Sequence, residues 1–353
     1  MQHIIRPKYI KQIAQFVDKP VIKVLTGMRR VGKSTLLTII KDEVLKNIPD
    51  KNKIYLNFES AELFDITTAK ALRAYLQPII QKTKKKLYFF FDEIQMVTGW
   101  EKVVNSLSVD TNCDIYITGS NSTLISGDLA TLLSGRYTAF EIYPFTFGEF
   151  VQVFKNKKIS KEVLFDKFLQ IGGMPFLRYF DLDASPCFKY LNDVYNTVLV
   201  KDVLQYNNIR DVDGFNRILS YVLENIGHTF SANGIKNYFK NEKRNISIDT
   251  ILNYLEYCKN AFIIKKVPRY DMAGEKNPQS GRKILCNRSR VPAGAGIFQH
   301  KGYRADAGKY RVYRTCVEGL RSKNRKTERQ GNRFYRAKKR PDFLLSGCLY
   351  VDR

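Results

Sequence analysis

Eight consecutive residues, Gly27-Met28-Arg29-Arg30-Val31-Gly32-Lys33-Ser34, follow the spacing G-x-x-x-x-G-K-S. Glycines at the first and sixth positions let the backbone curl until its N–H groups, those of Met28, Arg29, Arg30 and Val31 among them, point at one anion. A helix opening at Lys33, Ser34 and Thr35 adds its dipole to the same anion. A lysine amine there pairs with the β- and γ-phosphates of a nucleotide, and the serine hydroxyl beside it can ligate magnesium. The chemistry these types and spacings serve is capture of ATP with Mg2+.

Two further segments could complete a hydrolytic site. The apolar run Lys86-Leu87-Tyr88-Phe89-Phe90-Phe91 ends in Asp92-Glu93. Asp92 is placed to hold magnesium, as a Walker B aspartate does, and Glu93 to polarise an attacking water as general base. Asp114-Ile115-Tyr116-Ile117-Thr118-Gly119 is another strand, ending in Ser120-Asn121. Either polar residue is placed to sense a γ-phosphate, although turn or cap chemistry accounts for them equally well. Arg136, in Ser134-Gly135-Arg136-Tyr137, reads as an arginine finger for its own site or a neighbouring subunit's, or as a solvated arginine. Neither D-x-x-G nor N-K-x-D follows where a GTPase would carry them.

These residues need elements to hold them. Val21 to Thr26 is β-branched and apolar enough for a buried parallel strand, and Thr35 to Asn47 has helical spacing. Strand, loop and helix in that order are the setting the phosphate-binding motif requires. The predicted fold class is α/β, a P-loop NTPase parallel sheet flanked by helices over residues 1–150. Helical spacing at Phe147–Lys155, Lys161–Ile171 and Phe188–Tyr206 predicts a helical lid or linker over 151–212, interrupted by a turn at Gly172-Gly173-Met174-Pro175. Phe215–Gly227, Ser231–Lys240, Ser247–Asn260 and a strand at Phe262–Val267 predict a winged helix over 213–274, with Ser231 and Ser247 as N-caps. Lys236, Lys240, Lys243 and Arg244 could meet a DNA backbone. Asp249, Asn253 and Glu256 on the second of these helices suit phosphate poorly, so the module's partner is DNA or protein.

The chain has 353 residues, 44% hydrophobic and 26% charged, a globular composition. Six cysteines without a C-x-x-C pair argue against zinc and disulfide frameworks and fit a reducing, cytoplasmic setting. Arg6, Pro7 and Lys8 stand where a secretory leader would carry its apolar core, and the most apolar run, Leu87–Phe91, has strand length rather than membrane length. No membrane association is expected.

The set Lys23–Leu37, Phe91-Asp92-Glu93-Ile94-Gln95 with Trp100-Glu101, and Thr118–Ser122 resembles a family of prokaryotic AAA+ ATPases. So do Ser134–Tyr137, Gly172–Pro175 and Arg269-Tyr270-Asp271. The resemblance runs from about Arg6 to Lys276. It implies ATP binding and hydrolysis by a P-loop domain joined to a winged helix and then to a nuclease-like domain of unknown function, with oligomerisation open.

From about Glu275 the pattern changes. After Lys276, 20 Lys and Arg stand against 5 Asp and Glu, a net +15 of the chain's +25. Codon degeneracy lets Glu328–Tyr335, read one nucleotide later, encode Lys-Asp-Lys-Glu-Ile-Asp-Phe, and Ala307–Tyr313 encode Leu-Glu-Asn-Ile-Val-Tyr. Both resemble the family's last domain. A frameshift near Glu275–Pro278 is therefore expected, with residues 275–353 a tail that has no stable fold.

Overall fold

The computed structural model describes residues 4–120, 135–225, 229–267 and 282–286. Its centre is a five-stranded parallel sheet of β1 (Ile22–Thr26), β2 (Lys53–Asn57), β3 (Leu87–Asp92), β4 (Cys113–Gly119) and β5 (Tyr137–Glu141), in the order β2-β3-β4-β1-β5. Strand β4 lies between β1 and β3, pairing Thr26 with Gly119 on one side and Phe91 with Ile117 on the other. The phosphate loop after β1, the acidic end of β3 and the polar end of β4 therefore share one sheet edge.

The sheet is buried on both faces, and the period-two alternation of its strands decides which face each side chain serves. Leu25, Tyr88, Phe90 and Tyr116 enter one apolar cluster; Ile22, Val24, Phe89, Phe91, Ile115 and Ile117 enter the other. The second cluster is closed by α3 (Ala69–Gln81) and α4 (Trp100–Asp110) through Leu72, Leu76, Trp100 and Val104. The first is closed by α1 (Pro7–Ala14) and α2 (Lys33–Ile39), the latter continuing as a π-helical turn over Ile40–Val44.

That first cluster continues through α5 (Phe147–Val153), α6 (Lys161–Ile171) and α7 (Ala184–Thr197). A 3-10 turn at Pro175–Phe180 separates α6 from α7, and α7 runs on as a π-helix, Val198–Gln205. Thr146 and Glu149 form a reciprocal capping box at the start of α5. Glu149 also accepts from Arg6 Nε at 2.9 Å, which ties the segment before α1 to α5.

The cluster reaches α8 (Val212–Glu224), α9 (Ala232–Asn241) and α10 (Ile248–Asn260). Ser231 and Ser247 cap α9 and α10 by accepting from Gly234 N and Thr250 N, as their sequence positions predict. An antiparallel sheet β6-β8-β7 follows, built from β6 (Thr229–Phe230), β7 (Ile264–Val267) and β8 (Arg282–Cys286). Strand β8 lies inside the stretch expected to hold no structure. Its sequence contains the apolar run Ile284-Leu285-Cys286, and it pairs with β7 from Ile264 to Val267. The remaining positions of the expected tail lie outside the described residues.

Candidate functional site

At the end of β1 the chain turns sharply. Gly27 has φ +146°, and a Cβ there would stand 2.3 Å from the Ile142 carbonyl oxygen, so any side chain would displace the β1–β5 edge. Gly32, at φ +91°, opens α2. Met28 and Val31 are buried in the apolar core, which leaves their N–H groups as the part available to a phosphate. Arg30 has φ +64° and is exposed, as are Ser34 and Thr35 at the start of α2.

Lys33 is buried inside the loop. Its ammonium donates to the Gly27 and Met28 carbonyls at 3.1 and 3.2 Å and to Ser120 Oγ at 2.9 Å. It also lies 3.6 Å from Glu93 Oε1. Ser120 passes the contact on, donating to Glu93 Oε1 at 2.7 Å, while Gln95 donates to Glu93 Oε2. Burial works to raise the Glu93 carboxyl, but Lys33, Ser120 and Gln95 outweigh it and hold Glu93 below the usual carboxylate range. Burial also pulls Lys33 down, against Glu93 and Asp92.

Glu93 adopts φ +54°, rare outside glycine, and its N–H donates to Thr118 Oγ1 at 2.9 Å. The strained residue is thus fixed by the adjoining strand, a combination that recurs at functional sites. Asp92 accepts three bonds: Thr118 Oγ1 at 2.5 Å, Ser34 Oγ at 3.1 Å and Tyr55 Oη at 2.9 Å. The 3.1 Å between Ser34 Oγ and Asp92 Oδ1 matches the edge of an octahedron with metal–oxygen bonds of about 2.1 Å, the geometry magnesium demands. The residues present therefore fit one Mg2+ with waters and phosphates completing its shell. Among the described residues no cluster of three or more His, Cys, Asp or Glu side chains offers a competing metal site.

The structure thus brings together Lys33, Ser34, Asp92, Glu93 and Ser120. Asn121 lies outside the described residues. Arg136 is not brought to the site. Its carbonyl accepts from Ile22 N at the first residue of β1, about 16 Å of strand away from Gly27, and its guanidinium donates to Asn105 Oδ1 at 3.2 Å. Parallel pairing puts the start of β5, and Arg136 with it, at the opposite sheet edge from Gly27.

Four residues in or around the site are given no role by the sequence. Thr118 sits inside a segment read only for its last two residues. Tyr55 is the middle residue of the edge strand β2, where its sequence signal is merely β propensity. Asp202 and Glu59 meet Arg29 from elements distant in sequence, Asp202 at 2.9 Å and Glu59 at 3.7 Å. No local pattern could have found them.

Residues 19–151 match a family model described as an AAA domain, and residues 162–287 match one described as a domain of unknown function (DUF8612). An uncharacterised protein of Haemophilus influenzae is 36% identical over 275 residues, covering 77% of this chain and 68% of that protein. An uncharacterised protein of Methanocaldococcus jannaschii is 33% identical over 253 residues, 69% of this chain and 55% of its own length. In structure, the Walker-type ATPase of Pyrococcus abyssi superposes with a TM-score of 0.56 at 18% identity, over 84% of this chain and 96% of that one. This likeness is one of fold. No described helix is long and apolar enough to cross a membrane. With the phosphate loop, the interposed β4 and this relatedness in place, the chain belongs to the family of the Haemophilus influenzae protein, an AAA-domain family with the P-loop ATPase fold.

Proposed function

We propose that the chain binds ATP with Mg2+ and hydrolyses it. The observation that carries this reading is Ser120, whose hydroxyl accepts from Lys33 and donates to Glu93, so that phosphate-binding cation and base are joined through one atom. Gly27 to Thr35 would wrap the phosphates, and Lys33 would leave Glu93 for the β- and γ-oxygens. Ser34 and Asp92 would hold magnesium, which when bound neutralises the phosphates. Glu93, ionised at neutral pH, then accepts the proton of a water aligned with the γ-phosphorus. Asn121 would assist Ser120 in reading that phosphate. Arg136 could serve only a neighbouring chain's site, which makes oligomerisation part of that assignment.

The second reading is a nucleotide-gated binder with little turnover. Glu93→Gln separates the two. The hydrolase predicts retained ATP binding with phosphate release reduced at least about 100-fold; the binder predicts a parent that is itself without turnover.

The order helix, strand, helix, helix, strand, strand over α8 to β8 supports the winged-helix reading. Its exposed side on α10 carries Asp249, Leu252 and Asn253, and Lys259 is paired with Glu256. Arg244 and Arg217 are paired with Asp213, and among the residues of described burial Lys236, Lys240 and Lys243 are exposed cations that would meet a polyanion. This favours a protein partner over DNA, and a salt-dependent duplex-binding measurement decides it. The frameshift also stands as a proposal. Gly281–Asn287, read one nucleotide later in the same frame, permits Glu-Glu-Lys-Tyr-Tyr-Val-Thr, a β-rich run where β8 lies. Sequencing the gene across Glu275–Pro278 tests it, and an unbroken frame there refutes it.

A further inference from the structure

One contact at the site has no role in hydrolysis as described. Arg29 occupies one of the four unspecified positions of the phosphate loop, and its guanidinium is engaged by the helical region. Nε donates to Asp202 Oδ1 and Oδ2 at 3.0 and 2.9 Å. Asp202 lies mid-way along the π-helical continuation of α7, Val198–Gln205, and is only 8% exposed. On the other side Arg29 Nη1 approaches Glu59 Oε1, in the loop after β2, at 3.7 Å. One guanidinium therefore joins the phosphate loop, the β2 edge and the helical lid.

The electrostatics make this junction sensitive to the bound nucleotide. A buried carboxylate is costly without a partner; burial pushes the Asp202 carboxyl up, against the pull of Arg29. Lys33 and Glu93 act on Asp202 as well, so it lies within the field of the phosphate site. A terminal phosphoryl group arriving there carries more charge than one carboxylate and offers the bidentate geometry that arginine favours. It would also repel Asp202. A diphosphate brings no charge to that position. Asp202 further sits in a π-helical stretch, a rare geometry that often marks a functional site.

We propose that Arg29 distinguishes triphosphate from diphosphate: Asp202 holds it while the terminal phosphoryl is absent, and the phosphoryl takes it when present, releasing Val198–Gln205 from the phosphate loop. This rests on the nucleotide reading above. The experiment is amide hydrogen exchange of residues 198–205 in the full chain without nucleotide, with Mg-ADP, and with a non-hydrolysable Mg-ATP analogue. Calorimetric titration of both nucleotides accompanies it. Exchange rises several-fold with the analogue and stays at the nucleotide-free level with ADP. Asp202→Asn exchanges fast without nucleotide and binds the analogue about tenfold tighter, its ADP affinity unchanged. Arg29→Gln binds analogue and ADP alike. Calorimetric binding of the analogue with unaltered exchange at 198–205 overturns the proposal while leaving the nucleotide site standing, and this comparison needs no variant. Absence of any nucleotide binding overturns both.

Discussion

Lys23 and Asp114 form an ion pair inside the sheet, with side chains 0% and 1% exposed. Lys23 also donates to the Lys19 carbonyl at 3.3 Å, and Asp114 Oδ2 accepts from Tyr116 Oη and Asp18 N, each at 3.0 Å. The pair bridges β1 and β4, the two strands that set the phosphate loop beside Ser120. Lys23→Met fills the volume but strands a buried carboxylate, and breaking a buried pair in this way costs about 3–5 kcal/mol. Because Tyr116 and Asp18 still donate to Asp114, the lower end, about 3 kcal/mol, is expected. At about 2–4 °C per kcal/mol for a unit of this size, Tm falls by about 6–12 °C. Thermal unfolding of the full chain followed by circular dichroism measures it, together with Lys23→Met/Asp114→Leu. Removing both charges restores most of the loss, since apolar replacement of a buried pair is often neutral. A shift below about 2 °C for the single variant, or a double variant less stable than the single, refutes the reasoning.

Three other outcomes follow from the same geometry. Tyr55→Phe removes a donor from Asp92, and loss of such a supporting bond raises the magnesium concentration for half-maximal turnover about tenfold, with ATP affinity in excess magnesium little changed. Gly27→Ala forces a Cβ against the Ile142 carbonyl at 2.3 Å and abolishes nucleotide binding in a calorimetric titration. Glu93 is held below its ordinary value, so its contribution to stability is complete above about pH 4.5 and is lost as pH falls through the lower folded value. Glu93→Gln therefore loses less Tm than the parent between neutral pH and that acid range.

The sequence was most informative where chemistry is local. Gly27–Ser34 and Phe91–Glu93 each carry their pattern in consecutive residues, and the structure sets both on one sheet edge. Thr118 and Tyr55 carry no such signal, because their bonds to Asp92 depend on strand order, which no single segment encodes. The interposition of β4 between β1 and β3 puts Thr118 beside Asp92. Arg136 stands out in Ser134–Tyr137 as a candidate, but only the β1–β5 register shows which end of the sheet it occupies. Asp202 lies 173 residues from Arg29, and nothing in its own stretch, Val198–Gln205, marks it as a partner for the phosphate loop.

ATP hydrolysis at this site is tested by release of inorganic phosphate from ATP by the full chain across a magnesium titration. Saturable release that disappears on chelation and in Lys33→Ala is the expected result. Stoichiometric ATP binding without phosphate release, or release that survives Lys33→Ala, would contradict it.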